Sequence, residues 1–176
     1  MFKRHTSGKA WFRILVLCFA SGLLFSLTAG AQTVETDWQP DKTLVLMAGL
    51  LTWHDTSLAS YTASNRYDQK LYGILRQRGV PADNIVFLKD KKATLAAFRR
   101  AMKKLLVRSN AQSTFMFYYT GHGEKSADGQ ETYFLNYDCD TNNLGTTSFS
   151  LSEMAETIKS SFKGKKVLLT ADCCYS

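Results

Sequence analysis

Short, almost purely apolar runs alternate along the chain with stretches where apolar side chains recur every three or four positions. Thr43 to Leu51 is a continuous apolar run, the pattern of a strand buried on both faces. Residues 65–78 carry Tyr67, Leu71, Ile74 and Leu75 at helical spacing, with Gly79 placed to end the helix and Pro81 beyond it. Ile85 to Leu88 predicts a second short strand. Residues 94–107 predict an amphipathic helix with Thr94 as N-cap and Leu95, Phe98, Met102, Leu105 and Leu106 on its apolar face. Thr114 to Tyr119 is an aromatic-rich third strand. A looser segment follows: polar loop from Gly123 to Gly129, a small extended piece over Thr132 to Tyr137, and turns from Asp138 to Thr147. Ser150 with Glu153 three positions on has the form of a capping box and opens a helix that stops near Gly164. Lys166 to Ala171 is the last strand. Strands alternating with helices predict an α/β fold with crossover connections and a mainly parallel sheet.

The N-terminus departs from this alternation. Lys3, Arg4, Lys9 and Arg13 precede a run from Ile14 to Leu27 that is almost wholly apolar, and Ala29-Gly30-Ala31 follows. This is the pattern of a secretory signal peptide over residues 1–31 with cleavage between Ala31 and Gln32. The apolar run is shorter than the ~20 residues that cross a bilayer as a helix. The expected location is therefore secreted or periplasmic, with no membrane association after cleavage. Residues 32–42 read as a lead-in to the domain.

Charge changes meaning once that segment is set aside. The full chain of 176 residues has a net charge of +7, and all four N-terminal basic residues lie before the cleavage point. The remainder holds 18 basic and 15 acidic residues, a net of +3, which does not call for nucleic acid. Arg99, Arg100, Lys103, Lys104 and Arg108 form the densest basic cluster and read as the solvated face of the second helix.

Cys139, Cys173 and Cys174 remain after residue 31, an odd number that leaves at least one thiol unpaired. Pairing of Cys173 with Cys174, or of Cys139 with Cys173, is left open by the count. Asp138-x-Asp140-x-Asn142 resembles the start of a calcium loop, but Asn143 stands in place of the required glycine and Phe149 in place of the closing glutamate. The cysteines and His122 lack the paired spacing of a zinc site. No metal or cofactor is expected from these residues.

Two short motifs carry the candidate chemistry. Thr120-Gly121-His122-Gly123 follows the third strand and Asp172-Cys173-Cys174 follows the fourth. In a parallel sheet both strand ends lie on one edge, where open α/β sheets place their sites. A right-handed crossover tends to set consecutive strands side by side, ~4.8 Å apart. An imidazole beside a thiol takes its proton or stabilises the thiolate.

Phe117-Tyr118-Tyr119-Thr120-Gly121-His122-Gly123 resembles the histidine motif of the caspase and metacaspase peptidases. Val167 to Ser176, an apolar strand followed by Asp-x-Cys-x-Ser, resembles their cysteine motif. The two are 52 residues apart, near the ~50 expected in caspases. The resemblance runs from about Thr43 to Ser176. It implies a caspase-like three-layer α/β/α sandwich, incomplete at the C-terminus, with residues 43–176 forming the large-subunit portion of the peptidase domain. It implies Cys174 as nucleophile, His122 as general base or acid, and the N–H groups of Gly123 and Cys174 as oxyanion hole. Asp172 matches the acidic residue that holds a basic P1 side chain, so the substrate is a peptide or protein cut after Arg or Lys. Cys173 takes the variable position, and Asp138 a structural, loop-shaping one. Metacaspases are often calcium-dependent, which these residues do not decide.

The chain departs from the family in two respects. His54 follows the first strand where caspases place a substrate-binding Arg. The family domain also continues well past its nucleophile. Three functions are weighed: a cysteine endopeptidase working through an acyl-thioester; an inactive caspase-like binding or assembly module, or a fragment completed by a second chain; and a hydrolase or redox protein using the vicinal cysteines.

Overall fold

The structure is a computed structural model and describes residues 38–174. The signal-peptide reading of residues 1–31 lies outside the described residues, as does most of the 32–42 lead-in. The chain enters the domain through strand β1, Thr43–Gly49, and continues with helix α1, Tyr67–Gln77; strand β2, Ile85–Lys89; helix α2, Leu95–Leu106; and strand β3, Thr114–Thr120. Then come β4, Gly123–Lys125; β5, Thr132–Phe134; the single turn α3, Leu144–Thr147; β6, Phe149–Ser150; α4, Leu151–Ser161; and β7, Lys166–Asp172.

Strands β2-β1-β3-β7 form one sheet in that order, and every pairing is parallel. The expected adjacency of the third and last long strands is present: Thr114 pairs with Lys166 and Thr120 with Asp172. Two segments differ from the reading above. Part of the expected Gly123–Gly129 loop is strand β4, paired antiparallel with β5, which in turn pairs with β6 in a small second sheet. Too few residues are involved to leave a periodicity in the sequence. The turn-rich stretch contains α3, a single turn below the length that a 3.6-residue pattern can reveal.

The core has two faces, as the pleat requires. Leu44, Leu46, Phe115, Phe117 and Tyr119 point to the side covered by α2 and α4, where they meet Phe98, Met102, Leu105 and Met154. Val45, Met47 and Tyr118 point to the other side and meet Leu75 and Val80. Helices therefore cover both faces of the parallel sheet, giving a three-layer α/β/α arrangement.

Both predicted N-caps form. The Thr94 hydroxyl accepts from the Ala97 N–H at 3.2 Å and the Ser150 hydroxyl from the Glu153 N–H at 2.9 Å. The Glu153 carboxylate instead takes a two-pronged bond from Arg99, at 2.6 and 2.9 Å, tying α4 to α2. Arg108 likewise reaches Asp83 O and Asn84 Oδ1, both at 2.6 Å. The basic cluster thus includes two cross-links between elements and is not wholly a solvated face. Asp138 does shape its loop: its carboxylate accepts from the Leu95 N–H at 2.9 Å, at the start of α2, and from Asn136 at 2.7 Å.

Candidate active site

Parallel pairing carries β3 and β7 to the same sheet edge in step. Each candidate residue lies two positions beyond a register pair, His122 after Thr120 and Cys174 after Asp172. The Gly121 N–H donates to Asp172 O at 3.3 Å, so the two chains stay together past the last ladder pair.

Glycines permit that closeness. A side chain at Gly123 would collide with the Cys174 carbonyl and stand 3.0 Å from Cys173 Sγ. Gly121 has φ +156° and would press a Cβ to 2.7 Å from the Tyr119 hydroxyl. Beneath them the buried Tyr119 hydroxyl sits 2.6 Å from His122 O and 3.0 Å from Leu135 O, pinning the turn from inside the core. Burial raises that phenol well above its ordinary pKa, so it stays a donor. The Leu135 N–H also donates to His122 O at 3.0 Å. With Gly123 opposite Phe134, antiparallel alternation turns the Gly123 N–H away from β5.

His122 is held almost entirely by the segment between β1 and α1. Its Nε2 lies 2.8 Å from Ala59 O and its Nδ1 2.9 Å from the Tyr61 hydroxyl. A carbonyl only accepts, so Nε2 carries the proton of the neutral ring and the Nδ1 lone pair accepts from Tyr61. The Trp53 ring lies 4.4 Å from the imidazole and the Tyr61 ring 4.8 Å, both tilted. Trp53 is itself anchored by its Nε1–H to Leu135 O at 2.9 Å.

The vicinal cysteines are distinguished by alternation along β7. Cys173 continues the face of Ala171 and packs against the core; Cys174 is exposed. Burial, with the neighbouring Cys174 and Asp172, pushes the Cys173 thiol up to about 11. Burial likewise lifts buried Cys139 to about 11. All three described cysteines are free, so neither disulfide pairing forms. Thiols that stay protonated at neutral pH are poor nucleophiles and poor redox partners, which weighs against the vicinal-cysteine reading.

A pocket of about 350 Å³ opens beside these groups, lined by Tyr61, Tyr67, Thr120, Asp172 and Cys174 among others. Next to it, Arg66 ties the sheet edge together. Its guanidinium donates to Gly49 O at 3.1 Å, to buried Asp68 at 2.9 Å, and to Asp90. Asp90 also accepts from the Leu51 N–H at 2.9 Å. Burial raises the Asp90 pKa, but Arg66 and that N–H outweigh it and hold the carboxyl below its ordinary value.

The structure sets His122, Gly123, Asp172 and Cys174 at one edge of the sheet. It sets His54 apart, edge-on to Tyr137 at 6.3 Å. Sequence reasoning missed Trp53, Ala59, Tyr61 and Arg66. Ala59 acts through its carbonyl and leaves no mark in residue type. The others lie in a segment without periodicity, and only the cluster of aromatic residues following a buried strand hints at them. Among the described residues, no group of three or more His, Cys, Asp or Glu could hold a metal ion, and no helix is long and apolar enough to cross a membrane.

A parallel sheet that presents a histidine and a cysteine at neighbouring strand ends is the arrangement of the caspase-like cysteine peptidases. The chain belongs to the metacaspase, peptidase C14 domain family, which matches residues 64–176. The fold is similar to that of protein GSU0716 from Geobacter sulfurreducens, with a TM-score of 0.60 at 21% identity over 76% of this chain and 50% of that one. The chain spans half the length of that protein. No curated protein matches it by sequence.

Proposed function

We propose that the chain is a cysteine endopeptidase that cleaves peptide bonds after basic residues, with Cys174 as nucleophile and His122 as general base and acid. The observation that carries this is the in-step placement of the two residues beyond β3 and β7, with the imidazole proton held at Nε2 by Ala59 O. Nδ1 is then the basic nitrogen. It takes the Cys174 proton as sulfur attacks the substrate carbonyl. The oxyanion lies against the Gly123 and Cys174 N–H groups. As the C–N bond breaks, the imidazolium gives its proton to the departing amine, leaving an acyl-thioester. Water attacks that thioester, its proton passes to His122, and the proton returns to sulfur as the acid leaves.

Asp172 is the substrate-binding residue in this reading. Its exposed carboxylate in a pocket with two tyrosines suits a guanidinium or ammonium, by charge and by stacking. The reading calls for no cofactor, with calcium dependence left to direct test. The basic and apolar residues before Gln32 support export to a periplasm or the exterior.

The test is cleavage of fluorogenic peptides carrying Arg, Lys, Asp or Ala at P1, with and without calcium. Release from Arg and Lys peptides alone, lowered ~10²-fold or more by His122→Ala and abolished by Cys174→Ala, is the expected result. Equal release from all four, or retention in Cys174→Ala, would overturn it.

A second reading rests on one feature. Val167, Leu168 and Leu169 of edge strand β7 are 40%, 49% and 45% exposed, and an apolar pocket of about 410 Å³ lies beside β7, lined by Phe134, Leu151, Met154 and Leu169. A strand added there, from a second chain or segment, would complete the sheet. In this reading the chain is an assembly module, and the peptides stay intact whatever their P1 residue.

A further inference from the structure

Nδ1 of His122 is the nitrogen that must accept the Cys174 proton, and it is already engaged. The Tyr61 hydroxyl lies 2.9 Å from it, while Nε2 faces a carbonyl that can only accept. The phenol is therefore the donor and the imidazole the acceptor. Such a bond favours the neutral ring over the imidazolium. It opposes the transfer that would create a thiolate at Cys174.

Tyr61 is also placed to sense substrate. It is 36% exposed, its ring is edge-on to Trp53 at 5.8 Å, and it lines the same pocket as Asp172 and Cys174. A P1 side chain entering that pocket must pack against the phenol. Besides His122 itself, which is neutral in this arrangement, the titratable groups that act on Tyr61 are Cys174, Asp172 and Cys173 from β7, and it in turn acts on Tyr119 of β3. Cys174, Asp172, Cys173 and Tyr119 are acids, and none of them supplies a cation that would favour the phenolate. Burial and these acids raise the phenol above its ordinary value, which keeps it a donor.

We propose that Tyr61 is a positioning residue that holds His122 neutral and idle in the empty site, and yields Nδ1 to Cys174 when a substrate side chain enters the pocket. The proposal rests on the His122–Cys174 reading above. A peptidase so built keeps its sulfur protonated, and slow to oxidise or alkylate, until a peptide is bound.

The experiment uses the whole chain and iodoacetamide, following carbamidomethylation of Cys174 by mass spectrometry across pH. Tyr61→Phe keeps the ring and removes the hydroxyl. Its expected effect is a rise of about five-fold in the Cys174 rate near neutral pH, with the acid limb of the profile moved to lower pH. A second readout is the ring nitrogen spectrum of 15N-labelled His122. The Nδ1 resonance, from the nitrogen that accepts the Tyr61 hydroxyl, is expected to move in Tyr61→Phe while the Nε2 resonance stays in place, which a merely structural role would not produce. An unchanged or slower alkylation rate in Tyr61→Phe, with His122→Ala still slowing Cys174, would overturn the proposal and leave the dyad standing. An unchanged rate in His122→Ala would remove the dyad and the proposal together.

Discussion

Strands β1 and β7 are written in nearly the same alphabet and sit in the same parallel sheet, yet they live in opposite environments. All seven residues of β1 are buried. Six of seven in β7 are exposed and one is half-buried. The difference is one of neighbours: among the described residues β1 pairs with β2 and β3, whereas β7 pairs with β3 alone. Burial in a sheet is a property of position in the strand order, and an apolar run states only what the strand would tolerate. The C-terminal ends of the two strands differ as well. The end of β1 is tied by Arg66 on the Gly49 carbonyl, and the end of β7 by the Gly121 N–H on Asp172 O. The His122 ring therefore rests against the segment that follows the braced end of β1, and Cys174 follows a strand held by its β3 neighbour.

The contrast can be broken by paired substitutions. Leu46 on β1 is fully buried, and Leu46→Ala is expected to cost 2–5 kcal/mol. Leu168 on β7 is half-exposed, and Leu168→Ala is expected to cost under about 1 kcal/mol. Urea unfolding of the two variants measures both, and equal losses would show that β7 is covered in solution. Removing the brace comes next. Arg66→Met leaves buried Asp68 and part-buried Asp90 without their cation, at an expected cost of roughly 3 kcal/mol by the same measurement. The smallest effect is that of pH. Because the folded-state pKa of Asp90 is lowered, its contribution is fully present above the ordinary carboxylate value of ~3.9 and is lost as pH falls through the lowered value. Thermal midpoints between neutral pH and pH ~3 should fall in the wild type and fall less in Asp90→Asn.

Much of this architecture was legible beforehand. The four long strands, both amphipathic helices and the α4 cap follow from local pattern, because period and capping chemistry act within a few residues. His122 and Cys174 were legible because each follows a strand, and strand ends in a parallel sheet share an edge. The segment from Thr52 to Arg66 was not legible. It is aperiodic and rich in turns, and its roles are exercised on residues about 60 positions away. Strand β4 was missed because three residues opposite so short a partner leave no signal of their own.

The amino-acid order by itself determined the alternation of strands and helices, the apolar faces, the caps, and the identity of the two residues at the sheet edge. Only the tertiary structure decided which nitrogen of His122 bears the proton, which of two adjacent cysteines is exposed, and that Tyr61 occupies the basic nitrogen. Periodicity encodes which side of an element meets the core. Tautomers, thiol environments and hydrogen bonds across the site depend on where distant segments come to rest against one another, and nothing local to His122 or Cys174 specifies that.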